Sequence, residues 1–247
     1  MKAIHWLPID VNFSLSSCDL HVWRIDLLDT LSLQRRSVLS AEEQSCLQSF
    51  KFSKDRQAYG VSHIALREIL AAYLSVCPSS LIFKKLEHGK PVLEGYHLAF
   101  NLTHSDGVAL IAVGGSDVSR VGIDIEPMGR SVDALNLAKR FFSKKEFEAL
   151  RDTGMVNPQA EFMKLWVLKE AYMKAVGCGL SGGMDESHIQ LDGDRPTLVS
   201  CHGRWGDASL WMMRLLQVQV GYIAGLAVPH DTDFIKYFDY PSAGVVG

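Results

Sequence analysis

The segment Val121-Gly122-Ile123-Asp124-Ile125-Glu126 alternates in polarity. In an extended strand a period of two sends Val121, Ile123 and Ile125 to one face and both carboxylates to the other. Two like charges held side by side repel. A rigid pair of carboxylates suits a hard dication such as Mg²⁺, which takes oxygen ligands and keeps positions open for water or a phosphate. The competing reading is a half-buried strand showing its wet face.

A third acid occupies an unusual place in Phe162-Met163-Lys164-Leu165-Trp166-Val167-Leu168-Lys169-Glu170-Ala171-Tyr172-Met173-Lys174. At helical periodicity Phe162, Trp166 and Met173 share a narrow stripe, and Glu170 falls only about 40° from Trp166, inside the apolar margin. A Glu170 to Lys174 surface pair at i,i+4 is one account of it. A metal partner is the other. Lys169 and Lys174 flank the stripe, where each can snorkel to water or reach a phosphate.

Gly89-Lys90-Pro91 and Asn101-Leu102-Thr103-His104-Ser105 supply a lysine, hydroxyls, an imidazole and turn amides, all suitable phosphate partners, although such runs also occur as plain polar turns. Lys139, Arg140, Lys144 and Lys145 surround Phe141 and Phe142, which reads either as a basic docking surface or as a solvated helix face over two core aromatics.

Several elements must position these groups. Ser40 with Glu43 and Ser143 with Glu146 have capping-box spacing and predict helix starts. Ser53 is a further N-cap candidate, and Ala58, Val61, Ala65, Ile69 and Tyr73 recur at helical spacing until Pro78 forbids continuation. Asn157 with Pro158 starts the acid-bearing helix, which Gly177 ends. Short strands are expected over 97–102, 108–113, 121–126, 187–191, 210–218 and 222–228, with the turn 114–119 making a hairpin of the second and third. The order helix then strands thus occurs twice, which predicts an α+β fold of two halves meeting near residues 115 to 130. Gly107 to Gly115 and Gly221 to Pro229 are similar small-residue apolar strands.

Composition narrows the function. The 247 residues, 47% hydrophobic and 21% charged, describe a folded globular chain able to bury a core. A net charge of −3 gives no global attraction to nucleic acid or anionic lipid. The longest apolar runs, 108–113 and 221–228, fall far short of a membrane span. Met1 to Asp10 does not read as a secretory signal, so a cytoplasmic location is expected. Five scattered cysteines without a CxxC pair read as reduced structural thiols.

In order along the chain, Gly89-Lys90-Pro91, Asn101-Leu102-Thr103-His104-Ser105, Val121-Gly122-Ile123-Asp124-Ile125-Glu126, Arg140-Phe141-Phe142-Ser143 and Trp166-Val167-Leu168-Lys169-Glu170-Ala171-Tyr172-Met173-Lys174 with Gly177-Cys178-Gly179-Leu180 resemble the Sfp-type 4'-phosphopantetheinyl transferases. The matching stretches run from about residue 40 to 183, and the flanks match in general character alone. The resemblance implies a pseudo-twofold pair of α+β halves, residues 1–115 and 116–247, the second carrying the metal ligands and a ligand cleft lying between them. It implies transfer of the phosphopantetheine arm of coenzyme A to a serine of an apo acyl, peptidyl or aryl carrier protein, with release of 3',5'-ADP.

The nucleophile then belongs to the partner, in keeping with the lack of any nucleophile triad in the sequence. By motif match Asp124, Glu126 and Glu170 bind Mg²⁺, with Mn²⁺ as the alternative ion. Glu170, or a water beside it, is the general base, and Lys174 stabilises phosphate or the departing ADP. Lys90, Pro91, Thr103 and His104 match positions that contact coenzyme A, and Lys169 matches a family lysine of support or phosphate contact. Lys54 and Arg56 lie where the family places basic residues for the nucleotide phosphates. Ala58 stands where some members carry an arginine, which leaves Arg56 and His63 as candidates for the 3'-phosphate. The resemblance also implies a monomer, and makes Lys139 to Lys145 a docking surface for acidic carriers. The rival readings are a Mg²⁺-dependent nucleotide pyrophosphate hydrolase and a non-enzymatic coenzyme A binding protein.

Overall fold

The computed structural model describes residues 4–8, 14–152, 157–179, 183–230, 232 and 234–245, so half of the Met1 to Asp10 segment and Leu180 of the last motif lie outside the described residues. Two mainly antiparallel sheets stack face to face, and each carries one long helix on its outer face. The first sheet holds β1 (Leu20–Asp26), β4 (Phe100–Ser105) and β5 (Val108–Gly114) in the order β1-β5-β4. The second holds β6 (Gly122–Pro127), β9 (Trp211–Gln219) and β10 (Tyr222–Pro229) in the order β6-β10-β9.

Strand periodicity explains the layering. Along β5, Val108, Leu110 and Ala112 meet Val121, Ile123 and Ile125 of β6 in the core between the sheets. Ala109, Ile111 and Val113 point the other way, onto helix α2 (Ser53–Leu74). Every residue of β5 is therefore buried, which is why it reads as one continuous apolar run. Helix α5 (Pro158–Val176) covers the second sheet with Phe162, Leu168, Ala171 and Tyr172.

The two layers repeat one topology. Strand β1, helix α2, hairpin β2–β3 (Phe83–Lys85, Pro91–Leu93), then β4 and β5 correspond to β6, α5, hairpin β7–β8 (His188–Asp192, Arg195–Ser200), then β9 and β10. In both repeats the last two strands join through a two-residue turn ending in glycine, Asp106-Gly107 and Val220-Gly221. Asp106 has φ 49° and Gly221 φ 84°, the left-handed backbone that such tight hairpins require. Short helices α1 (Ala41–Ser49), α3 (Ala134–Phe141) and α4 (Lys144–Arg151) pad the periphery.

The capping boxes at Ser40 and Ser143 and the Asn157 cap stand as expected. Helix α2 begins at Ser53, but Phe52 is its N-cap and no side chain caps it. The hairpin expected across 114–119 does not form. Strand β5 pairs with β1 and β4 while β6 pairs with β10, so this turn carries the chain from one sheet to the other. The strand expected over 97–102 is β4, three residues further on, because its partner register with β5 is fixed by the Asp106-Gly107 turn. A final strand, β11 (Ile235–Asp239), returns to the first sheet and lies parallel to β1. No helix among the described residues is long and apolar enough to cross a membrane. All five cysteines are free thiols.

Candidate functional site

The edges of the two sheets meet where β4 runs beside β6. Alternate residues of β4 face this seam. Asn101 accepts the Ile123 backbone N–H through Oδ1 at 2.8 Å, Thr103 Oγ1 donates to Asp124 Oδ1 at 3.1 Å, and Ser105 Oγ donates to Glu126 Oε2 at 3.5 Å. On the helix side, β6 carries Gly122 beneath α5. A Cβ there would lie 1.9 Å from the Ala171 carbonyl oxygen, and one on Gly225, the register partner of Asp124, would lie 2.3 Å from that of Val167. The two missing side chains let α5 settle onto the sheet, which brings Glu170 and Lys174 over Asp124.

Lys174 reaches Asp124 Oδ1 at 2.6 Å, Thr103 Oγ1 at 3.2 Å and the Ile123 carbonyl at 3.3 Å. The helical neighbour pair Glu170–Lys174 considered from the sequence is thus replaced by a pair across to β6. Asp124 is 6% exposed, and its second oxygen, Oδ2, is buried with no hydrogen-bond partner. Glu126 is held by Arg130, whose Nη1 donates to both carboxylate oxygens at 2.9 and 3.0 Å. Arg130 escaped the sequence reading. Its one signal is a cation four residues after an acid.

Burial and mutual repulsion unsettle the acids. Burial, reinforced by Asp124 and Glu126 and opposed by Lys174, pushes the Glu170 carboxyl up to about 7. Glu126 is raised by burial and then by Asp124, against the pull of Arg130. Strand β6 and helix α5 therefore bring all three predicted acids within each other's field. Among the described residues, no three acid, histidine or cysteine side chains are already gathered as a metal cage. Lys174 and Arg130 instead serve as counter-cations for Asp124 and Glu126. The donor set still fits a hard dication: all oxygen, mutually repulsive, and with one buried carboxylate oxygen lacking any partner.

Three clefts adjoin the cluster. One of about 300 Å³ is walled by Lys90, Pro91, Asn101, Glu170, Met173 and Lys174. Another of about 430 Å³ lies beside Ser105, Glu126 and Arg130. A third of about 350 Å³ is formed by Phe50, Lys54, Asp55, Tyr59, His104 and Asp106. The Asn101–Ser105 motif is therefore divided: Thr103 joins the acids, while His104 points to the third cleft with Lys54.

Other expected ligands are placed differently. Lys54 pairs with Asp106 at 3.0 Å. Arg56 turns to the Phe50 carbonyl at 2.7 Å, and His63 stacks on Tyr59 with centroids 3.8 Å apart, so neither lines the third cleft. Lys169 is a correction. It faces away from Glu170, is fully buried, and binds Glu146 at 2.9 Å together with the Met184 and Ser187 carbonyls. A cofactor has no access to that ammonium, because Glu146 of the neighbouring helix, the Phe142 ring and the Met184–Ser187 turn enclose it. Lys90 lines the first cleft with its stem, but its ammonium is bonded to backbone carbonyls at the C-terminus of α5. Lys139, Arg140, Lys144 and Lys145 are exposed on α3 and α4.

Residues 29–115 match the family model described as 4'-phosphopantetheinyl transferase, N-terminal, and residues 120–227 match that of the 4'-phosphopantetheinyl transferase superfamily. The chain is 35% identical over 206 residues to the 4'-phosphopantetheinyl transferase HetI of Nostoc sp., covering 81% of this chain and 86% of that protein. It is 30% identical to the 4'-phosphopantetheinyl transferase Sfp of Bacillus subtilis, over 64% of this chain and 69% of that one. Among solved structures, the holo-[acyl-carrier-protein] synthase of Thermotoga maritima superposes with a TM-score of 0.36 at 23% identity, over 45% of this chain and 63% of that one.

Proposed function

Since the chain belongs to the 4'-phosphopantetheinyl transferase superfamily, we propose that the seam between its two sheets is where the phosphopantetheine arm of coenzyme A passes to a serine of an apo carrier protein. The serine oxygen forms the new bond to phosphorus, the pyrophosphate P–O bond breaks, and 3',5'-ADP leaves. One observation supports this placement above the rest: three carboxylates from β6 and α5 crowd one another beside Lys174, and the buried Asp124 Oδ2 lacks a partner.

Asp124, Glu126 and Glu170 would hold Mg²⁺. When bound, the ion neutralises charge on the pyrophosphate oxygens. The chain's own groups perform the remaining tasks. Glu170, on the helix side of the cluster and walling the cleft, is placed to take the serine proton, directly or through a water beside it. Lys174 supplies a fixed positive charge beside the leaving phosphate, steadied by Thr103 and the Ile123 carbonyl. The cleft walled by Lys90, Pro91, Glu170 and Lys174 borders the reacting atoms, and the Lys54–His104 cleft offers basic groups to the nucleotide. Both repeats lie in one chain, so the enzyme works as a monomer in this reading. The basic side chains of α3 and α4 offer an acidic carrier a complementary surface.

The test combines the protein with an apo carrier protein, coenzyme A and Mg²⁺, and follows the carrier by mass spectrometry. Addition of the arm, dependent on both Mg²⁺ and the carrier serine, is expected. Coenzyme A cleavage without a carrier would instead indicate a hydrolase. Binding without any turnover would leave only a binding protein.

A further inference from the structure

We propose that Lys90 is a positioning residue: its ammonium clamps the end of α5 and the start of β6 together, holding Glu170, Lys174 and Asp124 in register, rather than serving as a ligand of the coenzyme A phosphates. This inference rests on the transferase reading above.

Lys90 Nζ donates to the carbonyls of Lys174 at 2.7 Å, Ala175 at 3.0 Å and Val121 at 3.3 Å. An ammonium has three N–H donors, so this set uses all of them and leaves none for an anion. Two of the acceptors are among the last four carbonyls of α5, which have no partner within the helix and carry its negative end. Gly177, left-handed at φ 76°, returns its N–H to the Met173 carbonyl at 2.8 Å. Lys90 satisfies the next two. Its third acceptor, Val121, precedes the Gly122 on which α5 rests and lies three residues before Asp124. One side chain from the first repeat thus ties together the two elements of the second repeat that carry the acids and the catalytic lysine.

The local sequence delivers that side chain rigidly. Gly89, at φ 83°, closes a turn in which its N–H bonds the Leu86 carbonyl while the Leu86 N–H bonds that of Lys90. Pro91 then fixes the backbone at the first residue of β3. On this account Gly-Lys-Pro is a turn, a clamp and a lock. The surroundings agree. The groove of about 970 Å³ on the far side of Lys90 has no carboxylate in its described lining and contains Arg120. Burial, and then Arg120, pull the Lys90 ammonium down to about 8.

The experiment compares the wild-type chain with Lys90→Met and Lys90→Arg, measuring transfer kinetics, coenzyme A affinity by calorimetry, and amide hydrogen exchange over residues 174–178. Lys90→Met keeps the stem and removes the donors. It is expected to lower kcat by about tenfold or more, to change the KM and Kd for coenzyme A by less than about twofold, and to speed exchange at the helix end. Lys90→Arg keeps the charge, but its planar fork does not fit three converging carbonyls, so kcat falls and coenzyme A affinity holds. Should Lys90→Met fail to fold, the Lys90→Arg comparison decides alone. Coenzyme A affinity weakened about tenfold in Lys90→Met but retained in Lys90→Arg, with kcat preserved in both, marks a phosphate ligand and overturns the inference. Unchanged kcat in both variants overturns it too. A wild-type chain that binds coenzyme A but moves no arm refutes the transferase reading itself, before any variant is compared.

Discussion

Lys169 and Lys174 of helix α5 stand five residues apart, each in contact with a buried carboxylate, and the two neighbourhoods differ in completeness. Around Lys169 every group is matched. Glu146 accepts Lys169 at 2.9 Å, the Ile189 N–H at 2.8 Å and the Ser143 N–H at 2.7 Å, while the lysine also reaches the Met184 and Ser187 carbonyls. Around Lys174 the balance is uneven: one cation faces Asp124, two further acids crowd in, and Asp124 Oδ2 is left over. A buried pair with all its hydrogen bonds made is architecture, because any newcomer must break something. A cluster with surplus negative charge has room for a cation.

Three perturbations separate the neighbourhoods and a fourth tests the outer surface. The largest effect on stability is expected from Lys169→Met, which abandons Glu146 in the interior and should lower the unfolding free energy by about 3–5 kcal/mol in a urea titration. A loss below about 1 kcal/mol would mean the pair is not the keystone its geometry suggests. Asp124→Asn should do the reverse, reducing transfer by about a hundredfold or more while leaving the urea midpoint close to wild type. Equal damage to stability at both sites would erase the distinction.

The pH response sharpens it. The Glu170 carboxyl stands at about 7 in the fold against its ordinary 4.5, so the fold favours its protonated form. That contribution is fully present below about 4.5 and is lost as pH rises through about 7. Metal-free protein should therefore lose thermal stability across this window, and Glu170→Gln should flatten the slope. Mg²⁺ added at pH 8 should raise the melting temperature of the wild type and fail to do so in Asp124→Asn. The smallest effect is expected at the surface: Lys144→Glu with Lys145→Glu should weaken carrier binding several-fold at low salt and leave coenzyme A binding unaltered.

Much of this was legible in the sequence because it depends on local rules. Alternation on β6 separates Ile123 from Asp124 whatever the tertiary context, and the caps at Ser40, Ser143 and Asn157 are short-range hydrogen bonds. The position of Glu170 on the apolar margin foretold its neighbourhood with Asp124. What escaped depends on long-range pairing. Nothing between residues 108 and 126 announces that its two strands belong to different sheets. Lys169 and Lys174 look alike in sequence, and only the side of α5 each occupies sends one to Glu146 and the other to Asp124. The division of Thr103 from His104 follows from strand alternation, yet it gains meaning only once α2 and β6 lie on opposite sides of β4.

The return of Ile235–Asp239 to the first sheet bears on how the protein is made. Strand β1 pairs with this segment from Leu20↔Ile235 to Arg24↔Asp239, and Arg24 joins Asp239 through two side-chain hydrogen bonds at 2.7 and 3.0 Å. On the ribosome, at about 5–20 residues per second, roughly 10–40 s separate the emergence of these two strands. For that interval one flank of β1 offers bare backbone donors and acceptors to any extended chain nearby. Nascent molecules of this enzyme should depend on chaperone cover in that period, and weakening β11 should show first in the yield of soluble protein rather than in turnover.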